Sequence, residues 1–202
     1  MNLPRDWVTL PPGHTPWDAF FGVYPLVLVG TLEPDGGHDV APKHMAMPLG
    51  WQSWFGFVCT PEHRTWVNAV REGAFTVSYP RASQVLMGTL AASPRSGCGP
   101  DSKPELAAVP VYAARTVPGV LVAGCPVHLE CQLDRVVGGL GGNGLLIGQV
   151  VATHVEERFL RSPDQDDGDL VFQEGLLAYL APGRLAEIRE SGAFPFPEGF
   201  TR

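Results

Sequence analysis

Charge is scarce in this sequence. Only 17% of its 202 residues are Asp, Glu, Lys or Arg, against 45% hydrophobic ones. So few charges leave apolar surface to be covered by a ligand or another subunit. Basic residues are the scarcer kind, with 14 Lys and Arg against 21 Asp and Glu and a net charge of −7. That balance excludes an electrostatic nucleic-acid binder, while leaving room for a local basic pocket that takes a phosphate. No apolar run approaches the roughly 18 residues of a membrane helix, so no membrane partner is expected. The opening MNLPRDWVTL lacks a basic stretch followed by an apolar core, so no signal peptide is expected and the location is read as cytoplasmic. The four cysteines, Cys59, Cys98, Cys125 and Cys131, show no C-x-x-C spacing, which favours reduced thiols over a disulfide framework. No internal repeat is present.

What is abundant is turn chemistry. The 24 Gly and 20 Pro are dispersed, which signals many turns rather than disorder. Between them lie short β-branched or alternating runs: PLVLVGTL (25–32), SWFGFVC (53–59), FTVSY (75–79), VHLECQLDRVV (127–137) and LLIGQVVATHVEE (145–157). Gly148 inside the last run predicts a bulge. In the fourth, Val127, Leu129, Cys131 and Leu133 alternate with His128, Glu130, Gln132 and Asp134, predicting a half-buried strand with His128 and Glu130 facing solvent or a subunit contact. His154 is read as structural. TPEHRTWVNAVREG predicts a helix with Thr65 as N-cap, Trp66, Ala69 and Val70 on one face, and Gly73 as its stop. A short helix is expected over 84–92 and another over 185–190, with a polar loop over 162–169. Residues 93–118 read as an irregular excursion. Strands dominate and helices do not alternate with them, which predicts a mainly β barrel or sandwich and argues against a doubly wound parallel sheet.

GGLGGNG, Gly138 to Gly144, contains a literal G-x-G-x-x-G. A dinucleotide fingerprint needs a strand before it and a helix after it. Here the next segment, LLIGQVV, is another strand, so no helix N-terminus is available for a pyrophosphate. The stretch predicts the loop of an antiparallel hairpin.

Two segments concentrate chemistry. APKHMAMPLG places Lys43, His44, Met45 and Met47 in a row. CTPEHRT runs from a strand end into a helix start, where His63, Arg64, Thr65 and the unpaired first-turn amides suit a phosphate. Together they read as a pocket for an anionic, planar ligand, with methionines and Trp51 or Trp54 available to pack on an aromatic ring. Cys59, His63 and His44 lack the further ligands of a zinc site. Aligned as a calcium loop, DQDDGD misplaces its glycine and terminal glutamate, so no metal is expected. No nucleophile–base pair or carboxylate pair stands out, and no catalytic side chain is assigned.

The segments PLVLVGTLEPDGGHDVAPK, FGFVCTPEHRTWVNAVREGAFTVSYP, Lys103, CPVHLECQL and IGQVVATHV, in that order, resemble the flavin reductase-like family of FMN-binding split barrels across most of residues 20–180. The resemblance implies a six-stranded antiparallel Greek-key split barrel with short flanking helices. It implies one domain over 1–202, with the barrel core over about 20–160 and a C-terminal extension over 161–202. It also implies a homodimer with FMN near the interface, NAD(P)H as hydride donor, and a partner oxygenase or other acceptor. By position, Asp39 stands where many members have Asn, Ala41 and Pro42 match the Ala-Pro of one branch, and Ala41, Pro42, Lys43, His44, Met45 and Ala46 would line the isoalloxazine. Cys59 and Thr60 would sit beside the flavin, and His63, Arg64 and Thr65 would bind its phosphate. The family's Gly-Asp-His is replaced here by Gly-Gly-Asn-Gly (141–144). The resemblance thus supports FMN binding more directly than NAD(P)H turnover. A non-catalytic flavin carrier, or a barrel for another anionic ligand, stays open.

Overall fold

The computed structural model describes residues 4–95 and 103–200. Strands β1 (Gly22–Pro25), β2 (Val27–Leu32), β3 (His38–Lys43), β4 (Ala46–Pro48) and β5 (Trp54–Cys59) lead into helix α1 (Arg64–Glu72). Strand β6 (Ala74–Tyr79) and helix α2 (Val85–Ala91) follow, then β7 (Val111–Ala113) and β8 (Val120–Val122). A long hairpin, β9 (Val127–Leu140) and β10 (Asn143–Val155), precedes α3 (Asp167–Glu174), β11 (Leu176–Ala181) and β12 (Arg184–Ile188).

The main sheet is antiparallel, in the order β3-β2-β6-β9-β10-β5-β4. Its two edges belong to one stretch of chain. β3 pairs with β2, the backbone bends at His44 and Met45, and β4 pairs with β5 on the opposite edge. The Val58 amide donating to the Met45 carbonyl at 2.8 Å carries the ladder into the bend. Counting β3 and β4 as one bent strand gives the six expected strands. β2, the bent strand and β5 are consecutive neighbours, and β6 returns beside β2, which is the Greek key.

Phe55, Phe57, Phe75, Val27, Val29, Val77, Cys131 and Leu146 fill the barrel interior. Leu28 and Val40 face outward but are buried beneath Ala91, Leu106, Val109, Val120 and Val122. β2 is therefore covered on both faces, which is why VLVGTL reads as an unbroken apolar run rather than an alternating one. Gly148 sits at a register shift in the β9–β10 ladder, and a Cβ there would lie 2.7 Å from the Phe75 ring. The expected bulge is present, and the close approach of the ring requires glycine. Gly138–Gly144 lies in the β9–β10 hairpin, with positive φ at Gly139 (83°) and Gly141 (67°).

Several local expectations are corrected. The N-cap of α1 is His63, which makes no side-chain cap, and Gly73 (φ 62°) ends the helix as expected. Its buried side is Thr65, Asn68 and Ala69, while Val70 is exposed. Polar residues take the inner face because each finds a partner: Asn68 donates to the Thr31 hydroxyl at 3.2 Å and Thr65 to Asp39. His128 and Glu130 are buried, not solvent-facing, because the 114–122 segment covers that side of β9. Glu130 accepts from the amides of Arg115, Thr116 and Val117 and from His154 Nε2 at 2.8 Å, so His154 is structural as expected. The acidic stretch starts a helix: Asp166 caps α3 by accepting from the Gly168 and Asp169 amides. The helix expected over 185–190 is strand β12, because LLAYLA pairs with it through the Pro182–Gly183 turn and with β1 beyond, forming a second, three-stranded sheet. The 93–118 excursion holds a 3-10 turn at Pro104–Ala108 and strand β7 among its described residues. Cys59, Cys125 and Cys131 are buried free thiols; Cys98 lies outside the described residues. Among the described residues, no helix is long and apolar enough to cross a membrane.

Candidate ligand cleft at the start of α1

A cleft of about 400 Å³ opens where the end of β3 meets the start of α1, with Ala91–Arg95 and Lys103 as its far wall. Its volume falls in the ordinary range for cofactor sites. Asp39, Ala41, Pro42, Lys43, His63, Arg64 and Thr65, seven of the residues singled out from sequence, line it. Both lysines of the sequence, Lys43 and Lys103, are on its wall.

The electrostatics are built around Asp39, whose side chain is almost fully buried. It accepts from the Thr65 hydroxyl at 2.9 Å and from Arg95 Nη2 at 2.9 Å, and Lys103 Nζ stands 3.6 Å away. Arg95 also donates to Glu33 at 2.6 Å, and Arg64 Nε lies 3.3 Å from the same carboxylate. Lys103 Nζ further donates to the carbonyls of Val40 (3.0 Å) and Ala91, so its three donors are committed. Burial pulls the Lys103 amine below its usual range, and the nearby Asp39 carboxylate opposes that shift. Lys103 thus anchors the segment after α2 to β3 and contributes field rather than a free contact. Lys43, Arg64, Arg95 and Lys103 outweigh Asp39 and Glu62 on the lining. The cleft is locally basic in an acidic chain. At the start of α1 the Trp66 and Val67 amides both donate to the His63 carbonyl (2.9 and 3.1 Å), and His63 supplies no side-chain cap.

Other residues expected here lie at its margin or elsewhere. Cys59 is buried at the end of β5; burial pushes its thiol up, partly offset by the Lys43 ammonium beside it. Thr60 donates to Asn143 Oδ1 at 3.1 Å, which brings the glycine-rich hairpin to the end of β5. Met45 is exposed at the bend and Ala46 is in the core. His44 is outside the cleft lining. Its ring lies against Tyr179 (4.7 Å between centroids) and Tyr24 (5.7 Å), so it fastens the small sheet to the bent strand. Burial, then the Lys43 charge, lowers its affinity for a proton. Sequence reasoning missed Glu33 and Arg95 as site residues. Arg95 sits in a stretch that reads only as a Pro- and Ser-rich excursion, and no periodicity ties it to Asp39.

The Flavin reductase like domain matches residues 23–180. No curated protein matches the chain. Among solved structures, nitrilotriacetate monooxygenase component B from Bacillus cereus is 21% identical with a TM-score of 0.76, covering 95% of this chain and 100% of that one. Flavoredoxin of Desulfovibrio vulgaris is 20% identical with a TM-score of 0.75, covering 96% and 100%. An FMN-binding protein from Thermus thermophilus, with bound 1-cyclohex-2-enone, is 20% identical with a TM-score of 0.70, covering 96% and 100%.

Proposed function

Because the chain belongs to the flavin reductase-like domain family, we propose that it is an FMN-binding oxidoreductase working as a single unit, holding FMN in the cleft at the start of α1 and using NAD(P)H as hydride donor. The observation that carries this reading is the locally basic cleft of about 400 Å³ beside an uncapped helix start. The donor set fits a phosphomonoester. The Thr65 amide at the start of α1 and the guanidinium groups of Arg64 and Arg95 on the cleft wall suit its oxygens. Thr65 would offer its amide, since its hydroxyl is held by Asp39. Glu33 and Asp39 orient the arginines before any ligand arrives, which lowers the ordering cost of binding. Ala41, Pro42 and Lys43 would form the β3 wall for the planar ring, with Thr60 and Asn143 joined to each other at the end of β5 outside the cleft lining.

FMN, when bound, supplies the hydride-accepting and electron-releasing chemistry. The chain's contribution is position, charge and exclusion of water, so no side-chain acid or base is required. Electron transfer to a partner oxygenase is supported by the likeness to a monooxygenase component B. A homodimer is supported by the exposed Met45 and Met47 at the bend and by Val136, Val137 and Leu140 at the hairpin tip, apolar surface of the kind a second subunit covers. Light scattering should give twice the chain mass. A cytoplasmic location completes the reading.

Steady-state oxidation of NADH and NADPH with added FMN tests the enzyme. Turnover well above that of free FMN is expected, and a flavin-loaded protein without it would overturn the reading. One observation favours a second reading, a flavin carrier without turnover. Asn143, which does not ionise, stands beside Thr60 where family reductases carry a histidine. That reading predicts bound flavin that neither nicotinamide reduces under anaerobic conditions.

A further inference from the structure

A second cavity, of about 320 Å³, lies on the seam between the barrel and the C-terminal elements and shares no lining residue with the basic cleft. The barrel end contributes Leu26, Tyr79 and Val127, and β11 with the segment before it contributes Phe159, Leu176 and Leu177. Three of its wall residues are Pro25, Pro80 and Pro126, which carry no N–H, so the wall offers few backbone donors. Arg81, its one cation, is already committed. It binds both oxygens of Glu156 at 2.8 and 3.2 Å, lies 3.7 Å from Glu174, and stacks over the Phe159 ring at 4.9 Å. A carboxylate ligand would therefore meet two carboxylates beside an arginine with no spare charge, and an ammonium would have to displace Arg81.

What remains is an apolar space with one uncharged polar side chain. The Tyr79 hydroxyl has no hydrogen-bond partner among the described residues. We propose that this seam cavity binds a small, neutral, mostly apolar molecule carrying one hydrogen-bond acceptor, such as an aromatic or alicyclic ketone. Its volume suits a ligand smaller than a flavin. Burial pushes the Tyr79 phenol up to about 12, so it stays protonated at working pH and can only act as a neutral donor or acceptor. Leu177, half-buried on β11, forms the opposite wall.

The test is a fluorescence titration of the purified protein with 6-propionyl-2-(dimethylamino)naphthalene, a neutral ketone whose emission shifts to the blue in apolar surroundings. The expected result is saturable binding of one probe per chain, retained when FMN is saturating. Leu177→Trp, which fills the cavity, should weaken the probe at least about tenfold. Tyr79→Phe, which keeps the shape and removes the hydroxyl, should weaken it about threefold to tenfold. FMN affinity should stay within about twofold in both variants. If Leu177→Trp fails to fold by circular dichroism, Tyr79→Phe decides alone. Binding that does not saturate, that disappears on adding FMN, or that is unchanged in the folded variants overturns the proposal. A cavity already filled by a second copy or by this chain's own tail gives no saturable binding and overturns it too. The FMN titration is read separately, so failure of the flavin reading leaves this result interpretable.

Discussion

Replacing Glu130 by glutamine keeps the shape of a fully buried side chain and removes its charge. The carboxylate accepts from three successive amides, Arg115, Thr116 and Val117, from the Thr116 hydroxyl and from His154. Burial alone would raise its pKa, but the Thr116 hydroxyl, the Arg115 amide, His154 and the Thr116 amide outweigh it and hold the carboxyl at about 2, against 4.5 unfolded. That difference corresponds to about 3 kcal/mol of folding stability at neutral pH. A glutamine offers one acceptor oxygen and turns an NH₂ toward donors, leaving amides unpaired, which independently costs about 1–3 kcal/mol for each buried group. Taking about 3 kcal/mol, the melting temperature by circular dichroism should fall by about 6–12 °C at pH 7. A depressed folded value sets the sign of the pH dependence. The contribution is complete above 4.5 and is lost as pH falls toward 2, so the gap between parent and Glu130→Gln should close over that interval. A loss under about 1 kcal/mol, or a gap that does not close in acid, would show that Glu130 is not held as an ionised acceptor of these bonds.

Other outcomes are expected from the same structure. Lys103→Met should cost about 2–3 kcal/mol in urea unfolding, because the carbonyls of Val40 and Ala91 lose their donor and Asp39 loses a partner. Gly148→Ala should destabilise by about 1–3 kcal/mol, since the new methyl meets the Phe75 ring at 2.7 Å; an unchanged urea midpoint would contradict the bulge. In the native protein at pH 8, Ellman's reagent should label at most one of the four cysteines quickly, because Cys59, Cys125 and Cys131 are buried and burial pushes the latter two thiols up to about 12; unfolding in guanidinium should release the rest.

The barrel was legible where one physical signal dominates. The five apolar runs became strands because short β-branched or alternating runs, bounded by turn residues, have few alternatives. The glycine hairpin was legible from the β-branched LLIGQVV run behind it, which leaves no room for a helix. The burial of Glu130 was not, since alternation says which residues share a face but not that 114–122 will cover the outer one. Likewise, LAEIRE became a strand only because LLAYLA lay beside it, a tertiary choice that local propensity does not contain. In the cleft, Arg64 and Thr65 were readable from the helix start. The Asp39–Arg95–Lys103 network joins residues more than fifty positions apart, and His44 turned toward two tyrosines that only the small sheet supplies.

Everything proposed for the protein's chemistry depends on FMN occupying the cleft beside α1. Titrating the flavin-free protein with FMN and following flavin fluorescence probes that occupancy. Saturable binding of one FMN per chain is predicted, weakened about fivefold to a hundredfold by Arg64→Ala in a protein that still melts cooperatively. Absence of binding, or the same affinity in Arg64→Ala and in the parent, would rule out FMN in this cleft.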